Sequence, residues 1–356
     1  MWHEDWERAK EHHLAWWRGE GFVISGGWAT KPGRPWEQTR DPGPATSLTQ
    51  RYTDASWRAE HAHHQIAHRC LTGDLVPLVS TDIGPGSLAT FLGSEPELAE
   101  DTVWYQPCIE DPESSPPLAF DPENRWWRIH EAVIRACVER SRGRYFVGCP
   151  DLIENLDTLA SLRGTQTVLM DLIERPDWVQ ARLGEINQAF FAAYQRIYDL
   201  IAHPDGSAAW GAFGLWAPGK MAKVQCDISA MLSPRMFGQF VAPWLEEQCQ
   251  WLDYSMFHLD GADCIQHLDQ LLAIESLDAI EWTPNPGVPR GDDPHWFPMY
   301  RRILEAGKSV QMVSVSQHQV VPMLDALGPR GLYLMLDDIT SADQLYALEK
   351  AVEPYR

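Results

Sequence analysis

His258 and Asp260 stand two residues apart at the end of an apolar run, in the stretch FHLDGADCIQHL (257–268), and are followed by Gly261, Cys264 and His267. Residues two apart in a strand point to the same face, so both side chains would meet on one side. A neutral imidazole and a carboxylate oxygen can together ligate a divalent metal. The same pair can equally form an acid/base unit in which the carboxylate fixes the imidazole tautomer. A buried histidine satisfied by a neighbouring acid is the structural alternative, disfavoured because the pair lies at the carboxyl end of its strand. Cys264 and His267, one turn apart in the segment that follows, read as packing.

The elements that would carry this pair are legible from residue 75 onward, where short apolar runs alternate with longer amphipathic ones. Candidate strands are 75–80, 144–148, 208–216, 255–260, 277–283, 309–315 and 331–336, with an eighth expected near DTVWYQP (101–107). Helical patterns fill the intervals: 126–143 ends on a glycine, 175–201 has proline in its first turn, and 233–252 opens on Ser-Pro. Two more cover 293–308 and 341–352. No Gly-, Pro- or Ser-rich linker interrupts the series, so the economical solution is an α/β fold, one (β/α)8 TIM barrel over 75–356. Residues 1–74, with Gly, Pro and Trp crowded into 26–44, read as an amino-terminal extension packing on the barrel. Its histidines 61, 64 and 68 share a helical face, and a packed or solvated face suits them better than a metal site.

In such a barrel the reactive groups occupy the carboxyl ends of the strands. Those positions hold Asp82, then Asp151, Glu154 and Asp157, then Trp216, His258, Asp260, Glu281, Trp282, His318 and Asp337. Asp337 ends the last strand and is the natural third ligand beside His258 and Asp260, although a helix cap would also explain it. The acids at 151, 154 and 157 could bind hydroxyls, amines or a metal-bound water, or form a solvated face. Arg163 could clamp a substrate carboxylate or pair with Asp157 or Asp171.

Composition narrows the function classes. The chain has 356 residues with 50 acidic against 29 basic side chains, a net charge of -21, which would repel nucleic acid and anionic membranes. No run approaches the roughly 18 to 20 apolar residues that span a bilayer, and the charged start, MWHEDWERAKEHH, lacks a signal-peptide core. A cytoplasmic location is expected. Seven scattered cysteines without a C-x-x-C suggest neither a disulfide framework nor a zinc ribbon. The 17 tryptophans suit sugar rings or planar cofactors, but core packing or a homodimer interface accounts for most of them.

The stretch 75–352 resembles the uroporphyrinogen decarboxylase superfamily, which includes the methyl-corrinoid:coenzyme M methyltransferases. The resemblance rests on TDIGPGSLATFLG (81–93), DTLASLRGTQTVLMDLIERPD (157–177), CDISAMLSPRMFGQFVAPWLEE (226–247), FHLDGADCIQHLDQLL (257–272) and GLYLMLDD (331–338). It implies a (β/α)8 barrel. Asp82 matches the decarboxylases' pyrrole-binding aspartate, but their arginine motif is missing, Leu162 stands at their tyrosine and Asp337 at their last-strand histidine. Porphyrinogen decarboxylation is therefore not expected. In the zinc methyltransferases the pattern is H-x-C with a further cysteine after the last strand; His258 matches, while Asp260 and Asp337 replace both thiolates. Oxygen donors harden such a site, admitting Mn²⁺ or Fe²⁺ beside Zn²⁺.

The resulting expectation is metal-assisted methyl transfer involving a small methylated substrate and a corrinoid carried on a partner protein, with His258, Asp260 and Asp337 as metal ligands. His318 would be a fourth ligand or proton shuttle, and Glu281 an acid/base group. The alternative is a glycoside hydrolase, with Trp216 and Trp282 stacking on sugars and paired carboxylates supplying acid/base cleavage. A barrel that binds a ligand without turnover is a third reading.

Overall fold

The computed structural model describes residues 1–26 and 35–356; part of the Gly/Pro-rich stretch, 27–34, lies outside the described residues. Among the described residues twelve strands alternate with helices: β1 (Phe22–Gly26), β2 (Leu78–Val79), β3 (Glu95–Leu98), β4 (Val103–Gln106), β5 (Phe146–Cys149), β6 (Ala208–Trp210), β7 (Leu215–Ala217), β8 (Met221–Gln225), β9 (Tyr254–Asp260), β10 (Ala279–Thr283), β11 (Ser309–Val315) and β12 (Leu332–Leu336). Six of them form one sheet in the order β1-β12-β11-β10-β9-β8, every neighbour parallel. A second sheet runs β2-β5-β6-β7, with only β7 antiparallel. The molecule is thus α/β with a mostly parallel sheet, as the alternation of apolar runs and amphipathic helices requires.

Three features depart from the expected layout. The segment around 101–107 is not a parallel strand: Val103–Gln106 pairs antiparallel with Glu95–Leu98 in a separate hairpin. The run 208–216 is not one strand but an antiparallel pair that turns at residues 211–214. A parallel strand absent from the expected set, β8, follows it and pairs with β9. In addition, β1 lies within the stretch 1–74 yet pairs along its full length with β12, from Phe22 beside Leu332 to Gly26 beside Leu336.

Local chemistry sets the helix boundaries. Asn124 caps Arg125–Ser141 by accepting from the amides of Trp126 (2.8 Å) and Trp127 (3.1 Å), and Arg142 ends it in the left-handed region. The expected helix over 233–252 is two, Pro234–Phe240 and Ala242–Trp251, because Pro243 offers no amide and disfavours helical backbone before it. The 26-residue helix Pro176–Ile201 begins on its proline. Among the described residues no helix is long and apolar enough to cross a membrane.

Side chains tie the two sheets together. At one seam, the amide of Gln225 in β8 donates to Glu154 (2.7 Å), and Asn155 donates to the carbonyl of Gln225 (3.3 Å). At the other, the amide of Ile24 in β1 donates to Asp74 (2.9 Å), which also takes Arg356 (2.8 Å) and His12 (2.6 Å). Burial removes solvent from Asp74, yet these partners outweigh it and hold its carboxyl well below the usual carboxylate range. Most of the tryptophan surplus is core, including Trp16, Trp127, Trp210, Trp216 and Trp282.

Candidate metal centre

The strand β8 explains why the decisive residue escapes a search for apolar runs. Lys223, Gln225 and Asp227 alternate along one face of MAKVQCD (221–227) and carry polar groups inward. Lys223 binds Asp151 (2.8 Å) and the side-chain oxygen of Gln225, and the Gln225 amide nitrogen donates to Asp227 Oδ2 (2.8 Å). The i, i+2, i+4 spacing of Lys, Gln and Asp is the signal that could have found it.

Asp227 joins His258 and Asp260: one ligand atom from each lies within 4.8 Å of the others. His258 and Asp260 sit on the same face of β9 as expected, and β10 lies alongside with Glu281 beside His258. His258 Nδ1 meets the Glu281 carboxylate, whose other oxygen accepts from Thr283 Oγ1 (2.7 Å). That contact fixes the imidazole and engages Nδ1, so Nε2 is the nitrogen left for a metal, the arrangement that orients metal-binding histidines. Burial alone would lower the His258 pKa, but the charge and hydrogen bond of buried Glu281 outweigh it and raise it.

Asp157 stands behind Asp227 and accepts from the backbone amides of Asp227 (2.7 Å) and Ile228 (2.9 Å). Burial, with Asp227 nearby, pushes its carboxyl up to about 7. Burial likewise raises Glu154 to about 8 against the pull of Lys223. Asp227 itself is raised by desolvation and by Asp260, against the pull of His258 and Lys223. Asp82, raised chiefly by burial and then by Asp151, accepts from the Asp151 amide (2.6 Å) and from Ser80. Six carboxylates (Asp151, Glu154, Asp157, Asp227, Asp260, Glu281) thus surround Lys223 and His258. The donor set is hard, oxygen-rich and short of positive charge, which suits a divalent cation.

Two cavities flank the cluster. One, about 650 Å³, is lined by Asp157, Asp227, Tyr105 and Met231. The other, about 720 Å³ and largely apolar, is lined by Phe213, Leu78, Met335 and Asp337. Phe213 packs on the His258 ring with centroids 4.9 Å apart. It belongs to the β6–β7 turn, whose carbonyls at 213 and 214 accept from the inward side chains of Gln311 (2.9 Å) and Tyr333 (2.9 Å). Ile153, Asn155, Phe213 and Ser314 all have positive φ, and non-glycine residues adopt that conformation at a cost that packing must sustain. Ser314 marks the bulge where the β11–β12 register shifts.

The other expected site residues are placed differently. Asp337 is not the third member of the triad: its carboxylate forms a forked pair with Arg290 (2.9 and 3.0 Å) at the wall of the larger cavity. Trp216 and Trp282 do not face a substrate, being 1% and 0% exposed and packed on Trp6 and Trp296. The two tryptophans on which the glycoside hydrolase reading relies are therefore core side chains rather than sugar-stacking platforms. Arg163 is engaged with Asp171 (2.9 Å) and the carbonyl of Ile109 (3.0 Å), a structural pairing. His318 is exposed on the short turn Gln317–Gln319, outside the cluster. Cys264 and His267 pack as expected, His267 stacking on Phe237.

No family model matches the chain, and no curated protein matches it. Among solved structures it is similar to a methyltransferase from Methanosarcina mazei, with a TM-score of 0.64 over 98% of both chains at 12% sequence identity. At that identity the likeness speaks for a shared fold.

Proposed function

We propose that this chain is a metal-assisted methyltransferase acting on a small methylated molecule, built as a (β/α)8 barrel of the uroporphyrinogen decarboxylase superfamily. The observation that carries the reading is the convergence of Asp227, His258 and Asp260, with Glu281 holding the far nitrogen of the imidazole. The sequence motifs that resemble the superfamily and the fold shared with a methyltransferase support it.

Asp227, His258 and Asp260 would hold a divalent cation, Zn²⁺ or, given two oxygen donors, Mn²⁺ or Fe²⁺. Bound there, such a cation supplies Lewis acidity that lowers the pKa of a coordinated heteroatom and prepares it as a nucleophile or leaving group. The chain's residues do the rest. Glu281 keeps Nδ1 of His258 protonated, Gln225 orients Asp227, and Phe213 shields the imidazole face from water. Asp157, accepting from the backbone amides of Asp227 and Ile228, fixes the turn that carries Asp227. The methyl carrier would be a corrinoid on a partner protein, docking over the cavity beside Asp227.

The test combines binding and turnover. Purified protein is titrated with Zn²⁺, Mn²⁺ and Fe²⁺, and methylated amines, thiols and ethers are screened for methylation of reduced cobalamin by its visible spectrum. Stoichiometric binding with methyl transfer that chelation abolishes is expected. Turnover that survives complete metal removal would overturn the reading.

A further inference from the structure

A third cavity, about 340 Å³, lies between the helix Ala55–Ala67 and the end of β2, and differs in charge from the acidic centre. Its lining includes Arg51, Arg58 and Arg69, against one carboxylate, Asp82. In a chain of net charge -21, three guanidiniums line this one small cavity, of which Arg51 also reaches Glu100 (3.8 Å). The Asp82 carboxylate is occupied, taking the Asp151 amide (2.6 Å) and the Ser80 hydroxyl.

Arg58 is the informative group. It donates to two backbone carbonyls, those of Tyr52 (3.2 Å) and Asp82 (2.7 Å); among the described residues no carboxylate forms an ion pair with it, Asp82 acting on its charge only from beyond ion-pair distance. Burial is the main influence on it and lowers its pKa. A desolvated cation without an anionic partner is costly unless a ligand supplies the charge, and a guanidinium matches a planar or tetrahedral oxyanion with paired N–H donors. His61 lines the same cavity, stacked on Trp57 at 4.6 Å, and its buried Nδ1 has no hydrogen-bond partner. It offers one more donor or acceptor to a bound group.

The cavity is not isolated. Leu78, Arg69 and Gly211 also line the larger apolar cavity, where Phe213 touches His258. We propose that the Arg58 cavity is an oxyanion subsite that holds the carboxylate or phosphate of the small-molecule substrate, whose body crosses the apolar cavity toward His258. This rests on the reading of a small-molecule substrate given above. It narrows the substrate class to anionic molecules with an apolar span between the anion and the reacting end.

The probes are inorganic phosphate and benzoate, titrated separately by calorimetry into the full chain at ionic strength fixed with sodium chloride. Saturable binding of one or both is expected, and which of them binds identifies the anion. Arg58→Gln, which keeps amide donors for the two carbonyls, should weaken binding about tenfold or more. Arg51→Gln, at the exposed rim, serves if the first variant does not fold, and should weaken binding several-fold. Asp227→Asn should leave oxyanion binding intact, and Arg58→Gln should leave metal binding intact, so failure of the metal reading and of this one are separately visible. Absence of saturable binding by both probes, or unchanged affinity in the arginine variants that fold, would overturn the proposal.

Discussion

At the scale of the residue, the account turns on what holds His258. An imidazole that donates through Nδ1 to a buried carboxylate is fixed in tautomer and orientation, and outer partners of this kind contribute strongly to metal affinity. Glu281→Gln keeps the size of the side chain but replaces the anion, so metal affinity should fall by about 10- to 100-fold in a competition titration. An unchanged affinity would mean that Nδ1 is the ligand atom, or that none is needed. The pair His258 and Asp260 was legible because strand alternation puts both on one face at a strand's carboxyl end. The same positional logic points to Asp337 as the third, but Arg290, from the loop after β10, claims its carboxylate. No sequence pattern announces a salt bridge 47 positions apart. Trp216 and Trp282 fell to a related limit: one step in strand register separates a mouth residue from a core residue.

At the scale of the element, the apolar strands β9 to β12 could be read directly, whereas β8 could not, since Lys223 and Gln225 break its apolar run. Their buried positions are sustained by pairing with Asp151, Glu154 and Asp227, a network that appears only once β5 and β8 come together. β1 was hidden for a different reason: its partner is the strand farthest from it in sequence. Asp74 is the clasp of that join, binding β1, His12 and the terminal Arg356. Because its folded pKa lies below the ordinary 3.8, the unfolded chain takes up the proton first on acidification. The stabilisation is therefore present above about pH 4 and declines as pH falls below it. Asp74→Asn should cost about 3 kcal/mol at neutral pH, by leaving Arg356 unpaired, and should flatten the acid limb of a denaturant-midpoint profile. An acid limb as steep as that of the parent would show that other carboxylates govern it.

At the scale of the whole molecule, the parallel α/β layout was foreseeable from the alternation of patterns, and the acidic balance from composition. The concentration of that charge was not: carboxylates from four separate segments meet around Lys223 and His258. Such crowding penalises the folded state without a cation, so a bound metal should raise the melting temperature. At free metal 100 times the dissociation constant, linkage gives about 2.7 kcal/mol, roughly 4 °C for a chain of this length. A scanning-calorimetry titration reads it, and Mg²⁺ at the same concentration should do less, because it gives up its octahedral shell of waters reluctantly.

The central claim is the identity of the triad, and metal stoichiometry by elemental analysis tests it most directly, on the parent and on Asp227→Asn, His258→Ala and Asp337→Asn after reconstitution and desalting. The account predicts about one divalent ion per chain in the parent and in Asp337→Asn, and loss of it in the other two. Retention by Asp227→Asn with loss in Asp337→Asn, or no ion in the parent, would contradict it.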